Sequence, residues 1–334
     1  MSEKKISQVK KVINYIIGLL ALTALVLVVI YVVLPFFEKP GLQVTKDEPK
    51  QLVEPAKNGR KNTTSQPEEN QPFSFVILSD SNSGAGNVSQ SATFTNIVKE
   101  ISESDDKPDF LIHAGDMIAG SGSTSLSLAD KMWESFGAAI EPLEKNNIAF
   151  FPSAGNHDAS FNKLLPQAYR TFWDKNKNTQ DIKIDGSYSS YYSFDYQGSH
   201  FIVLYSPKTY LDEEQLKWLE QNIDNAQGQY DNIFVISHIP LTAVSTYHPN
   251  DQLTPGSRLK EILAGKITAF FGAHHNLYYD FEADDIRQIG TGRVGSGGIY
   301  QFKSRYGTGA QNYNSYLRVE VKGNDWEVEQ VRSN

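Results

Sequence analysis

The chain has 334 residues, 39 of them acidic and 31 basic, and no cysteine. Its formal charge of −8 excludes a general nucleic-acid binder, which needs a basic face to displace counterions from phosphates. The absence of cysteine excludes a disulfide scaffold, a thiolate metal site and a cysteine nucleophile, and the negative mean hydropathy excludes a polytopic membrane protein.

Residues 1–11 carry Lys4, Lys5, Lys10 and Lys11, and residues 12–34 follow as an apolar run interrupted by little more than Asn14 and Thr23. At about 1.5 Å per residue that run crosses the roughly 30 Å hydrocarbon core of a bilayer. Lysines precede it and mixed charges follow, so the positive-inside rule keeps the N-terminus in the cytoplasm and exports the rest. The run exceeds the roughly 7–15 apolar residues of a cleaved signal, and no small-residue cleavage pattern follows, so it reads as a signal-anchor. Residues 35–71 hold Pro40, Pro49, Pro55 and Pro67 among polar side chains. With so little apolar surface to bury, they read as a flexible linker. The expectation is a single-pass cell-membrane protein with an extracytoplasmic domain at 72–334.

That domain has enough chain for one α/β unit. The run from Phe73 to Leu78 reads as a buried strand ending at Ser79-Asp80, and Ser91 to Ile101 places Phe94, Ile97, Val98 and Ile101 at helical spacing. A second strand, Phe110 to Ile112, leads to Gly115-Asp116. A helix from Leu126 to Lys145 follows, then a third strand, Ile148 to Phe151, leading to Gly155-Asn156-His157-Asp158. Later strands are Phe201 to Leu204, Ile233 to Ile236 and Ile267 to Phe271. Between the first two of these, Asp212 to Asn225 reads as a helix with Asp212 and Gln215 spaced as a capping box. Alternation of strand and helix predicts a largely parallel sheet. Glycine-punctuated runs after Tyr278 predict a second sheet.

The chemistry collects at strand ends, where α/β architectures place ligands. Five strands finish in polar clusters: Asp80-Ser81-Asn82, Gly115-Asp116, Gly155-Asn156-His157-Asp158, Ser237-His238 and Gly272-Ala273-His274-His275. Carboxylate and amide oxygen mixed with imidazole is a donor set for Zn, Mn or Fe, whereas an all-oxygen set points to Mg or Ca. His113 and His200 lie in or beside apolar strands and read as structural, and His248, next to Pro249 in a polar loop, reads as solvated. Gly290 to Gly295 matches a dinucleotide fingerprint only formally. No helix follows it, so it reads as a glycine loop near the site mouth with Arg293 in solvent.

These clusters in this order resemble the calcineurin-like metallophosphoesterase superfamily over nearly all of Phe73 to Asn334. Tyr192-Ser193-Phe194-Asp195-Tyr196 with Trp218-Leu219 looks most like its purple-acid-phosphatase-like branch. The resemblance implies a four-layer αββα sandwich with two divalent or trivalent metal ions (Mn, Zn or Fe). It implies hydrolysis of a small-molecule phosphate ester by a metal-bound hydroxide. By position, Asp80 and His275 would hold the first ion, Asp116 would bridge, and Asn156 and His238 would hold the second. His157 would stabilise charge or donate a proton, with Asp158 orienting it. The chain departs from the family pattern where Asn82 and Ala273 replace histidines and where Ala119 stands in the second motif. Asn82 still offers an amide oxygen to the first ion, whereas Ala273 offers nothing and leaves the second ion with Asp116, Asn156 and His238 unless His274 swings in. The competing expectation is a catalytically impaired member that binds a ligand or partner. Substrate identity and oligomeric state are not legible in the sequence.

Overall fold

Three short apolar segments, β1 (Phe73–Leu78), β2 (Phe110–His113) and β3 (Ala149–Pro152), are buried along almost their whole length. That fits parallel strands covered on both faces, and they pair parallel, Ile77 opposite Ile112 and Ile112 opposite Phe151. The structure, a computed structural model, describes residues 70–295, 298–307 and 309–333. The expected span at 12–34 and all of the expected linker except Asn70 and Gln71 lie outside them. Among the described residues no helix is long and apolar enough to cross a membrane.

Helices α1 (Ala92–Glu103) and α2 (Leu126–Lys145) begin at Ser91 and Ser125, whose hydroxyls accept from Phe94 N and Leu128 N and satisfy an orphan donor of the first turn. A short helix α3 (Asn156–Ala159) follows β3, then α4 (Leu165–Lys175). The chain continues through β4 (Ile184–Gly186), β5 (Tyr192–Tyr196) and β6 (Ser199–Val203) into α5 (Glu213–Ala226). Asp212 caps α5 by accepting from Gln215 N at 2.8 Å. The expected reciprocal half of that capping box is absent, because the Gln215 amide bonds the Tyr205 backbone at both ends instead. Strand β7 (Asn232–Ser237), helix α6 (Gly256–Leu263) and strands β8 (Ala269–Gly272), β9 (Tyr278–Ala283) and β10 (Ile286–Thr291) come next. Strands β11 (Tyr300–Gln301), β12 (Ala310–Gln311), β13 (Asn314–Lys322) and β14 (Asp325–Ser333) complete the order.

Two mixed sheets result, β14-β13-β1-β2-β3 and β4-β5-β6-β7-β8-β10-β9, with β11 and β12 as a separate ribbon. The division corrects the expectation of one parallel sheet plus a sheet made by the tail. The parallel strands split between both sheets, while β13 and β14 extend the first and β9 and β10 the second. The sheets meet over an aromatic seam in which Phe75 and Phe110 pack edge-on to Phe201 at 5.1 and 5.2 Å, and Phe151 stacks on Phe194 at 3.9 Å. Outside the second sheet, Leu216, Leu219 and Ile223 of α5 and Leu259 and Ile262 of α6 pack on Ile202, Val235 and Phe270. The α/β layering is that of the four-layer expectation, and it brings the carboxyl ends of β1, β2, β3, β7 and β8 together.

Candidate metal centre

Asp80 and Asp116 sit in the left-handed region, at φ 51 and 59, as does His274 at φ 65. Left-handed backbone costs an L-residue roughly 1–2 kcal/mol, and such residues cluster where a site aims side chains. The bends are locked to one another: Asp80 N donates to Gly115 O at 2.9 Å, and Ser81 N and Asn82 N both donate to Asp116 O. Glycine is required beneath them. A Cβ on Gly115 would stand 2.6 Å from His238 Nδ1, and one on Gly155 would stand 2.2 Å from Asp116 N.

Asp116, His238 and His274 are buried with donor atoms within 4.8 Å of one another. His238 Nδ1 is 2.9 Å from the Ala114 carbonyl, which can only accept, so the proton sits on Nδ1 and Nε2 keeps its lone pair. Nε2 faces Asn156 Oδ1 at 2.9 Å and Asp116 Oδ1 at 3.5 Å. Burial, against the pull of Asp116, pushes the His238 imidazole down to about 4 and keeps it neutral at pH 7. Three lone-pair donors thus converge with no proton between them, and that arrangement fits a cation. Burial works to raise the Asp116 carboxyl, but the imidazoles of His238, His157 and His274 outweigh it and hold Asp116 below the usual carboxylate range. Donor spacings of 2.9 and 3.5 Å bracket the edge of about 3.3 Å expected for a tetrahedron with bonds of roughly 2.0–2.1 Å. Asp116, Asn156, His238 and His274 therefore fit one ion.

The other half of the expected centre does not assemble. Asp80 accepts from Ser79 Oγ at 2.6 Å and His274 N at 3.2 Å, and burial, then the Asp116 charge, pushes its carboxyl well up. Asn82 turns its amide oxygen to Gly84 N at 3.2 Å. His275, expected to hold the first ion, is turned away: Nδ1 accepts from Val244 N at 3.4 Å and Nε2 donates to Asp251 O at 2.9 Å. The neighbouring His274, expected at the second ion only if it swung in where Ala273 offers nothing, takes that place beside His238 with ring centroids 5.1 Å apart.

Asp158 also differs from expectation. Its carboxylate accepts from the backbone N–H groups of Asp116, Met117, Ile118 and Gly155 at 2.8–3.0 Å and does not reach the His157 ring. Burial first, then Asp116, pushes its carboxyl up to about 7 against the pull of these donors. It is a positioning residue for the turn that aims Asp116. His157 is oriented by the Gly120 carbonyl, 2.6 Å from Nδ1, which leaves Nε2 facing Asp116 Oδ2 at 3.9 Å on a side chain 24% exposed.

His113 accepts from Gly115 N at Nδ1 and donates from Nε2 to Ser81 Oγ at 2.9 Å, and burial pushes it down to about 3, so it is structural. His200 faces Asp195 Oδ1 and Asn222 Oδ1, both at 2.6 Å, away from the site residues. His248, expected in solvent, is half-buried against Asp251 and His274. Arg293, also expected in solvent, is buried, donating to Gly298 O at 2.6 Å with its guanidinium 5.1 Å over the Tyr300 ring.

A solved structure shares the fold. A dimetal phosphatase from Danio rerio superposes with a TM-score of 0.51 at 11% identity, covering 78% of this chain and 96% of its own. The GAP50 anchor of the Plasmodium inner membrane complex gives 0.48 at 14% identity, over 78% and 84%. A putative 5'-nucleotidase from Staphylococcus aureus gives 0.42 at 14%, over 78% and 54%. No curated protein matches by sequence. The pattern of the calcineurin-like phosphoesterase family matches residues 73–278, the segment that holds β1 to β8 and every strand-end cluster. With that match and the donor set at the strand ends, the chain belongs to the calcineurin-like phosphoesterase family, metal-dependent hydrolases of phosphate esters.

Proposed function

We propose that the chain is a membrane-anchored, extracytoplasmic phosphoesterase working on a small-molecule phosphate ester at the cluster of Asp116, Asn156, His238 and His274. The observation that carries the reading is the convergence of His238 Nε2, Asn156 Oδ1 and Asp116 Oδ1 with no proton among them. An ion held there would supply a Lewis acid for a phosphoryl oxygen and would lower the pKa of water towards about 7. The chain's own groups do the rest. His157 carries a proton on Nδ1 and presents Nε2 towards Asp116 Oδ2, where its imidazolium form donates to a phosphoryl or leaving-group oxygen. Phe161 packs edge-on to that ring at 4.8 Å and holds its plane. Asp158 fixes the loop that aims Asp116. The anchor and export rest on the apolar run at 12–34 and the lysines before it.

The test uses the full chain, chelated and then reloaded with Mn²⁺ or Zn²⁺, on p-nitrophenyl phosphate and its bis-ester. Hydrolysis that needs the metal and is lost in Asp116→Asn is the expected result. Hydrolysis unchanged in that variant overturns the reading. Metal uptake with no turnover on either ester overturns it in favour of the binding-module alternative, which the incomplete Asp80 half favours. Protease protection of an N-terminal tag, but not of the C-terminal domain, in intact cells checks the topology.

A further inference from the structure

We propose that a second metal ion binds on the rim of the site at His248, Asp251 and His274, in place of the half-centre expected from Asp80, Asn82 and His275. His248 Nδ1 and His274 Nε2 each lie 3.0 Å from the same Asp251 oxygen, Oδ2. A tetrahedral ion with bonds of roughly 2.0–2.1 Å spaces its ligands about 3.3 Å apart, so the two edges at Asp251 need to open by only a few tenths of an ångström, and all three donors lie within 4.8 Å of one another. Two imidazoles and one carboxylate also form the ligand set of open zinc sites, which keep a position for water. The exposures fit such a position: the side chains of His248 and Asp251 are 22% and 39% exposed, whereas that of His274 is 9%.

The loop is built to hold those groups in place. Leu253 N donates to Pro240 O at 2.8 Å, Lys303 Nζ to Pro249 O at 2.6 Å, and His275 Nε2 to the Asp251 carbonyl at 2.9 Å. His275 is thereby a positioning residue for Asp251, which accounts for a buried histidine at a motif position that points at no donor set. The rings of His248 and His275 lie parallel, 8° apart at 5.8 Å, and His274 stands 4.4 Å from His248. His274 belongs to the inner group as well, so the two ions share it as a bridging imidazolate whose ring proton is released to solvent when the second ion binds.

Zn²⁺ binding to the chelated full chain, counted by equilibrium dialysis with metal analysis, tests the site without recourse to turnover. Wild type is expected to hold two ions. His248→Gln and Asp251→Asn each hold one, His238→Ala holds one, and His274→Ala loses affinity at both sites by at least tenfold. Tyr247→Ala, at a neighbouring side chain 72% exposed, keeps two. A wild-type chain that stops at one ion, or a His248→Gln chain with undiminished count and affinity, overturns the proposal. Should Asp251→Asn fold poorly, His248→Gln decides alone, its metal-free melting temperature serving as the folding check. A failure here leaves the inner group and its hydrolysis intact, so the two readings fall separately.

Discussion

His238 and His275 invite comparison, because each follows a buried strand of the same sheet and is buried itself, and burial pushes both imidazoles down, to about 4 and about 3. What separates them is the use of the second ring nitrogen. His238 gives its Nδ1 proton to the Ala114 carbonyl and so turns a lone pair towards Asp116 and Asn156. His275 uses both nitrogens on backbone, one accepting from Val244 and one donating to Asp251. Ligand competence is therefore set by the partner of the far nitrogen, a tertiary property. Two strand-end histidines in equally good motif positions can have opposite jobs.

The largest expected effect is at the competent one. His238→Ala removes the donor at the centre of the inner group, and metal-dependent hydrolysis should fall by more than about 100-fold, the upper range for merely disturbing a ligand's supporting partners. Steady-state kinetics at saturating metal check it, and a loss below tenfold breaks the contrast with His275. Asp158→Asn comes next. The substitution weakens up to four buried N–H bonds to a carboxylate, so unfolding free energy should drop by about 2–3 kcal/mol. The slackened Asp116 turn should cost about 10–100-fold in metal affinity. Urea unfolding and metal titration read the two effects separately. A variant that loses stability and keeps its affinity shows that the Asp116 turn needs no such clamp.

Much of this layout is written in the chain. The apolar runs at 73–78, 110–112 and 233–236 mark buried strands, and the polar clusters after them mark where they deliver chemistry. Helices α4 and α6 escape notice although Leu165, Ala168, Tyr169 and Trp173, or Leu259, Ile262 and Leu263, repeat at helical spacing. Their flanking polar loops and modest length weaken the period against its surroundings. The partition of parallel strands into two sheets escapes as well, because a parallel strand looks equally apolar in either. At the site, the family resemblance implies the ligand roles of Asp116, Asn156 and His238, and the strand-end clusters that hold them are legible in the sequence. The choice of His274 over His275 is not, since it turns on φ 65 at His274 and on the loop carbonyl of Asp251, 24 residues away. Ala273 shows the same limit: it is buried within the core cluster. Restoring a histidine there should therefore overpack the core and cost about 1–3 kcal/mol.

His275→Gln sharpens the comparison from the other side. Glutamine keeps a donor of similar reach for the Asp251 carbonyl, so hydrolysis by the inner group should change less than tenfold. Stability should fall by about 1 kcal/mol from the lost Val244 bond. A 100-fold loss in kcat with the fold intact would restore His275 as a ligand.

Asn82 is the smallest case and the one that isolates the first half-centre most cleanly. Its amide oxygen accepts a single bond, from Gly84 N at 3.2 Å, at a half-buried position. Removing a lone neutral bond of that kind costs about 0.5–1.5 kcal/mol. A carboxamide that held a metal would take the ion's affinity down with it. Asn82→Ala should accordingly leave the Zn²⁺ count unchanged and kcat within about threefold, with a melting temperature only a few degrees lower. Loss of one bound ion in Asn82→Ala, with His248→Gln still binding two, would place the second ion back at Asp80 and remove it from the rim.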